Sequence, residues 1–330
     1  MSKIKTRGRV KKYRAAIIGA GRIGSGFDNS RTAAVATHAH AFKNNPRVEL
    51  VGFFDIQPEK ARAAAKKWSV LAYKNLNDLL ADKPDLISIC TPDADHYPTL
   101  LKVLSSKPRL IICEKPLTAN IRQARLVAEK IVKMNIPILV NYSRRFDSTI
   151  QKCRLDIKKK KYGKVISAVG VYNKGLLHTG SHLIDFARYL FGDVLDCQAL
   201  NAIFDYHRND PSVGGWLKLE DCPSLNLVVG DSRYYEIFEM DILLEKARLR
   251  FTNFGSVLAV QKIAKDKSYP EFSVLGRPKE TAVKLNRAAV GLAGNAVNFL
   301  DKKVDLLCAG QDALKTQIVC GDLLKGLKNK

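Results

Sequence analysis

The chain has 330 residues, 46% of them hydrophobic, which is enough for two domains of ordinary size and a substantial core. Lys and Arg number 55 against 32 Asp and Glu, a formal net charge of +23 that raises the question of a polyanionic partner; the basic residues are spread along the whole length without a zinc-finger or RNP motif, which argues against specific nucleic-acid binding. There is no apolar run near about 18 residues and no N-terminal signal pattern, and the seven cysteines lack CxxC or Cys/His ligand spacing, so the expectation is a cytoplasmic protein with no membrane partner, no metal and reduced core thiols.

Residues 1–13 read as a basic, flexible arm. From 14 to 140 short apolar runs (RAAIIGA, VELVGFFD, LISICTP, RLIICEKP, IPILVNY) alternate with helical patterns at 58–68, 76–82, 96–106 and 119–135. This βα alternation predicts an α/β fold with a doubly wound parallel sheet. Residues 141–330 differ in texture: one helix candidate at 180–191, then strand-like runs (VISAVGVY, VLDCQALNAIF, WLKLE, LNLVVGD, YYEIFEMDILL, ARLRFTNF) that alternate as an antiparallel sheet with one covered face would. Helices at 281–300 and 310–328 are expected to close the chain and can pack back on the first domain.

The first strand runs into Gly19-Ala20-Gly21-Arg22-Ile23-Gly24, a GxGxxG placed to open a helix. The first glycine permits the tight turn, the second lets backbone approach a pyrophosphate, and the third lets the helix pack on the strand. The second strand ends in Asp55, whose carboxylate can accept from a ribose 2′-hydroxyl and would repel a 2′-phosphate, favouring NAD over NADP. The interval from Gly24 to Asp55 exceeds the usual span of about 20 residues. The excess lies in residues 25–40, where His38 and His40 read as surface or capping histidines and the loop as a means of shaping or covering the cofactor.

Glu114 and Lys115 stand at the end of an apolar strand, immediately before Pro116, which has no N–H to continue the ladder. A lysine at the carboxyl end of a central strand lies in the crevice where open α/β sheets bind ligands.

Taken in order, GAGRIG, the strand ending in Asp55, CTPDADH (90–96), CEKPL (113–117), NYSRRF (141–146) and HTGSHLIDFARYLFG (178–192) resemble the Gfo/Idh/MocA family of oxidoreductases. The resemblance implies a Rossmann domain followed by an α/β domain with a large open, mostly antiparallel sheet that forms a homodimer or homotetramer interface. It implies an NAD(P)-dependent dehydrogenase or reductase acting on a CH–OH group of a sugar, cyclitol or related small molecule. Lys115 would lie beside the nicotinamide and contact the reacting hydroxyl, with Glu114 orienting backbone and cofactor. Thr91, Pro92 and His96, with Arg22, Ile23 and Ile56, would complete the cofactor site, and Asn141 would face nicotinamide or substrate.

His182 and Asp185 match the family's HxxD: His182 would exchange the proton, while Asp185 would bind a neighbouring hydroxyl or hold the imidazole. One residue departs from the pattern, because many members carry aspartate where this chain has His178. A second imidazole, or an imidazolium, would suit an anionic ligand such as a uronic acid or nucleotide sugar, and Arg144, Arg145 and Lys174 would reinforce that preference if they face the cleft. Two alternatives remain: a cofactor-retaining epimerase or dehydratase, and a non-catalytic NAD-binding regulator.

Overall fold

The computed structural model describes residues 12–328; the basic arm, but for its last two residues, falls outside them. Tyr13, the thirteenth residue, already belongs to the first strand and is buried, its hydroxyl donating to Asp301 at 2.7 Å.

Six parallel strands form the first sheet: β1 (Tyr13–Ile18), β2 (Val48–Phe54), β3 (Leu71–Ala72), β4 (Leu86–Ile89), β5 (Leu110–Cys113) and β6 (Ile138–Val140), in the order β3-β2-β1-β4-β5-β6. The strand order reverses beside β1, which is the doubly wound arrangement. Helices α1 (His38–Asn44), α2 (Pro58–Trp68), α3 (Leu76–Ala81), α4 (Asp93–Ser105) and α5 (Ile121–Met134) connect the strands. Strands β4 and β5 in the middle of the sheet and β6 at its edge are buried at every residue, as a sheet covered on both faces requires.

The second sheet contains β7 (Val165–Tyr172), β8 (Val194–His207), β9 (Asp210–Leu219), β10 (Cys222–Val229), β11 (Phe238–Leu244), β12 (Ala247–Thr252), β13 (Val257–Lys265), β14 (Ser273–Leu275) and β15 (Lys279–Ala282). The order is β14-β13-β12-β11-β7-β10-β9-β8 with β15 beside β13, antiparallel throughout except for the β7–β10 pair. Helices α6 (Ser148–Lys158) and α7 (Ser181–Phe191) supply Ile150, Cys153, Ile157, Leu183 and Phe186 to the core under this sheet. Gly170 on β7 is needed there, since a side-chain carbon would lie 2.6 Å from Leu183. The opposite face leaves Val169, Val228 and Leu243 exposed.

Helix α8 (Ala288–Leu300) contributes Ala289, Leu292 and Ala296 to the core of the first sheet, and α9 (Gly310–Lys328) supplies Ala313 and Leu314 to that core and Val319 and Leu323 to the other. The helix expected from 281 therefore begins only at 288, because Lys279–Ala282 pairs with Val257–Val260 as β15. Helix α6, not anticipated, was signalled by Asp147, which caps it by accepting from the N–H groups of Thr149 and Ile150, and by apolar residues at positions 150, 153 and 157. Of the seven cysteines six are buried and Cys197 is half-buried, all as free thiols.

Candidate active site

The central strands end in step. Phe54, Ile18, Ile89, Cys113 and Val140 are ladder neighbours, so Asp55, Gly19, Thr91, Glu114, Lys115 and Asn141 leave the sheet along one edge, at the carboxyl ends where such sheets hold ligands. Gly19 has φ +95°, and a side-chain carbon there would lie 2.6 Å from the Cys90 carbonyl; at Gly24 it would overlap the Gly19 carbonyl oxygen. At Gly21 it would meet nothing within 4 Å, so open space faces the backbone where a pyrophosphate would approach.

The helix expected after this turn is reduced to one π turn, Arg22–Gly26, closed by the N–H groups of Gly26 and Phe27 on the carbonyls of Gly21 and Arg22 at 3.0 Å. Its opening N–H groups, those of Arg22, Ile23 and Gly24, remain available to phosphate oxygens without a long helix behind them. The Arg22 side chain is exposed, 5.9 Å from the Phe27 ring, whereas Ile23 packs on the first core. Asp55 accepts from the N–H groups of Ala20 (2.7 Å) and Gln57 (2.9 Å), tying the glycine turn to β2 while keeping lone pairs for ribose hydroxyls. Ile56 beside it is 88% exposed, an apolar surface that an adenine could cover. Thr91 carries a buried hydroxyl with no partner, and Pro92 caps α4.

His96 differs from expectation. It is fully buried, with Nδ1 2.7 Å from the Pro116 carbonyl oxygen and Nε2 3.1 Å from that of Thr91. Both ring nitrogens face backbone carbonyls, and whichever carries the proton donates to one of them, so His96 braces a strand-end loop from the interior rather than facing a cofactor.

Residues 25–40 also correct the sequence reading, for His38 and His40 are interior. Asp28, itself buried, accepts from the N–H groups of Ala36 and Thr37 and the Thr37 hydroxyl, and lies 3.1 Å from His40 Nδ1. The closed loop delivers His38 to the strand edge: its Nε2 lies 2.8 Å from Glu114 Oε1, and its Nδ1 lies 2.6 Å from the Ser88 hydroxyl. Asn141 donates to the same Glu114 oxygen at 2.7 Å and keeps a buried Oδ1 without a partner. Burial opposes charge on His38, but Cys90 and Glu114 outweigh it and push the imidazole up to about 10. Burial alone would raise the Glu114 carboxyl; the hydrogen bond and charge of His38, then Asn141 and Lys115, hold it below its ordinary value. Glu114 is thus an oriented carboxylate at the base of the cleft.

Lys115 projects from the end of β5 and donates from Nζ to the His178 carbonyl oxygen at 3.0 Å. Burial lowers its pKa, and the charges of Asp93, Glu114 and Asp210 only partly restore it. His182, in the first turn of α7, stands edge-on to Tyr142 with ring centroids 5.6 Å apart and has no hydrogen-bond partner among the described residues. Burial holds it well below the usual imidazole range, reinforced by Lys115, Arg144 and His178.

His178 lies in a π turn, Gly175–Gly180, that leads into α7. Asp210 anchors the turn, accepting from the N–H groups of Leu177 (2.7 Å) and His178 (3.0 Å); this role went unseen in sequence because Asp210 opens a Gly-rich strand. The His178 ring stacks on Tyr206 at 4.6 Å. Burial, Lys115 and Lys174 lower its pKa, which favours the neutral ring over the imidazolium that the sequence suggested. Lys174 is paired with Glu236 and so does not offer a free cation.

Asp185 is not in the cleft. Its side chain is 1% exposed, and its two oxygens accept from Arg145 Nε (2.9 Å) and Nη2 (2.8 Å), with Thr316 at 3.2 Å. Arg145 also donates to the Leu307 carbonyl at 2.7 Å. The i, i+3 spacing puts Asp185 near His182 along the helix, but the fork of Arg145 turns the carboxylate inward, so both residues are structural and neither can hold a substrate. Among the described residues no group of three or more His, Cys, Asp or Glu side chains could bind a metal, and no helix is long and apolar enough to cross a membrane.

Residues 13–142 match a family model described as "Oxidoreductase family, NAD-binding Rossmann fold" (GFO_IDH_MocA). The D-glucoside 3-dehydrogenase of Escherichia coli is 28% identical over 200 residues, covering 54% of each chain, and the myo-inositol 2-dehydrogenase of Thermotoga maritima is 24% identical over 199 residues, covering 56% of each. The chain thus spans about half the length of the curated relatives it matches. Its fold is similar over nearly the full length, with a TM-score of 0.75 at 17% identity, covering 97% of this chain and 96% of the other, to the WlbA dehydrogenase of Bordetella pertussis, solved with NADH and UDP-GlcNAcA. The glycine turn, Asp55 and the strand-edge EKP sequence that share one crevice thus all lie within residues 13–142, the segment that matches the NAD-binding Rossmann fold of the Gfo/Idh/MocA oxidoreductase family.

Proposed function

We propose that this protein is an NAD-dependent dehydrogenase or reductase that oxidises or reduces a carbinol carbon of a sugar-type substrate, with Lys115 and His182 at the reacting carbon. The observation that carries the reading is the partnerless imidazole of His182, held neutral within electrostatic reach of the Lys115 ammonium at the carboxyl end of β5. The open backbone at Gly21, the free N–H groups of the π turn and the orphaned buried atoms Thr91 Oγ1 and Asn141 Oδ1 fit a dinucleotide along this edge. The carboxylate of Asp55 disfavours a 2′-phosphate, so NAD is preferred to NADP.

Bound NAD supplies hydride acceptance or donation. The chain manages the proton and the charge. The Lys115 ammonium stabilises negative charge developing on the substrate oxygen, and a neutral His182 nitrogen receives the hydroxyl proton. Glu114, fixed by His38 and Asn141, orients the base of the cleft. The curated relatives named for glucoside and inositol oxidation support a polyhydroxylated substrate. The exposed apolar positions Val169, Val228 and Leu243 on the open sheet support a homodimer or homotetramer assembled through that face.

The test is to measure NAD and NADP binding by calorimetry on the purified protein, then to screen sugars, cyclitols, uronic acids and nucleotide sugars for NADH formation with wild type and K115M. NADH formation that K115M abolishes supports the reading; absence of dinucleotide binding sinks it.

A further inference from the structure

Arg144 lies in the short turn Ser143–Phe146 that follows β6 at the cleft edge and is 7% exposed. Its guanidinium carbon lies 3.4 Å from the centroid of the Phe238 ring, so one face of the fork is covered. Its Nε is buried without a partner, and its one hydrogen bond, from Nη2 to the Phe254 carbonyl, is a long 3.5 Å. Among the described residues no carboxylate lies within ion-pair distance of it, and the carboxylate that acts on it, Asp185, is already gripped by both oxygens by Arg145. Removing a guanidinium from water without a counter-charge is costly, and here only the face of the Phe238 ring offsets that cost. It follows directly on the cleft residues of its own segment: Tyr142, two positions before it, meets the His182 ring edge-on at 5.6 Å, and Asn141, three before it, donates to Glu114 at 2.7 Å. The other cationic candidates are occupied: Arg145 by Asp185 and Lys174 by Glu236. The remaining acids near the cleft are engaged or peripheral: Glu114 is held by His38 and Asn141, Asp210 by backbone N–H groups, and Asp93 is exposed.

We infer that Arg144 is the specificity residue of this cleft and that the substrate carries an anionic oxygen group, a carboxylate or a phosphate on the sugar, which supplies the counter-charge its guanidinium lacks. This rests on the sugar-dehydrogenase reading and narrows it to acidic sugars. A planar fork with one face stacked offers two parallel N–H groups to a carboxylate or phosphoryl oxygen pair.

The experiment titrates the NAD-loaded wild type, R144M and R144K by calorimetry with glucuronate, glucose 6-phosphate and glucose at low and raised salt, after circular dichroism has checked each fold. Wild type is expected to bind at least one anionic sugar more tightly than glucose, with affinity falling as salt rises; the tighter of the two anions identifies carboxylate or phosphate as the group. R144M is expected to lose about 10- to 100-fold in anion affinity, the size of a lost charge-assisted contact, and R144K to lose less. Glucose binding as tightly as both anions overturns the inference, as does failure of both anions to bind or an unchanged affinity in a folded R144M. If R144M does not fold, the wild-type panel and R144K decide. Binding is read without turnover, so anion binding with no sugar oxidised would refute the dehydrogenase reading alone.

Discussion

Replacing Asp185 by Asn separates a structural carboxylate from a substrate ligand. In the native protein the two Asp185 oxygens receive Nε and Nη2 of Arg145 at 2.9 and 2.8 Å, with side-chain exposures of 6% for Arg145 and 1% for Asp185. Asn keeps one acceptor but turns an NH2 toward a guanidinium that has only donors, so one charge-assisted bond is lost and the buried Arg145 charge keeps only the more distant Asp312 carboxylate at 3.9 Å. Breaking a buried pair on one side costs about 3–5 kcal/mol. At about 2 cal/mol/K of unfolding entropy per residue, a chain of 330 residues moves its Tm by about 1.5 °C per kcal/mol, so D185N should melt roughly 4–7 °C below wild type. Differential scanning calorimetry measures this, and NAD titration of the folded fraction at low temperature should give the wild-type affinity. A D185N protein with unchanged Tm and weakened sugar binding would refute the structural assignment and return Asp185 to the cleft.

The pH dependence of kcat/KM follows from the two perturbed cleft groups. His182 must be neutral to accept a proton, and its lowered pKa keeps it so until pH falls well below 6.5; Lys115 must be charged, and its lowered pKa removes that charge before pH reaches 10.5. A flat profile across neutrality with both limbs displaced downward is expected, and H182N should abolish turnover while NAD still binds. G21V should fold with wild-type Tm yet lose NAD affinity, because its side chain enters space that only the cofactor needs; G19A should instead lose about 1–3 kcal/mol of stability from its positive φ and the contact with Cys90, read in urea unfolding. H38L removes the donor that holds Glu114 low, so activity should fall at the acid end at a higher pH than in wild type. It should also lower Tm by a few degrees, since the Ser88 hydroxyl and Glu114 lose a buried partner worth about 1–3 kcal/mol. An unchanged profile would detach His38 from the site.

Much of this protein follows from local pattern. Alternating apolar strands and amphipathic helices specify a parallel sheet because strands buried on both faces must be apolar and their crossovers must be helical. Gly19, Asp55, Thr91, Lys115 and Asn141 could be placed on one edge because each lies one or two residues beyond the end of such a strand, and the ladder register does the rest. Where a side chain's role depends on a partner distant in sequence, local spacing was insufficient. His38 meets Glu114 across 76 positions, and Asp185 is turned inward by an arginine 40 positions away. His96 is turned toward carbonyls of two separate loops, and Arg144 stands unpaired because its neighbour took the carboxylate that both could have used. Period and composition decide which face of an element is buried; which buried polar groups find partners, and which are left for a ligand, was decided only by tertiary packing, because hydrogen bonds and ion pairs depend on distances of about 3 Å between atoms whose proximity the fold alone creates.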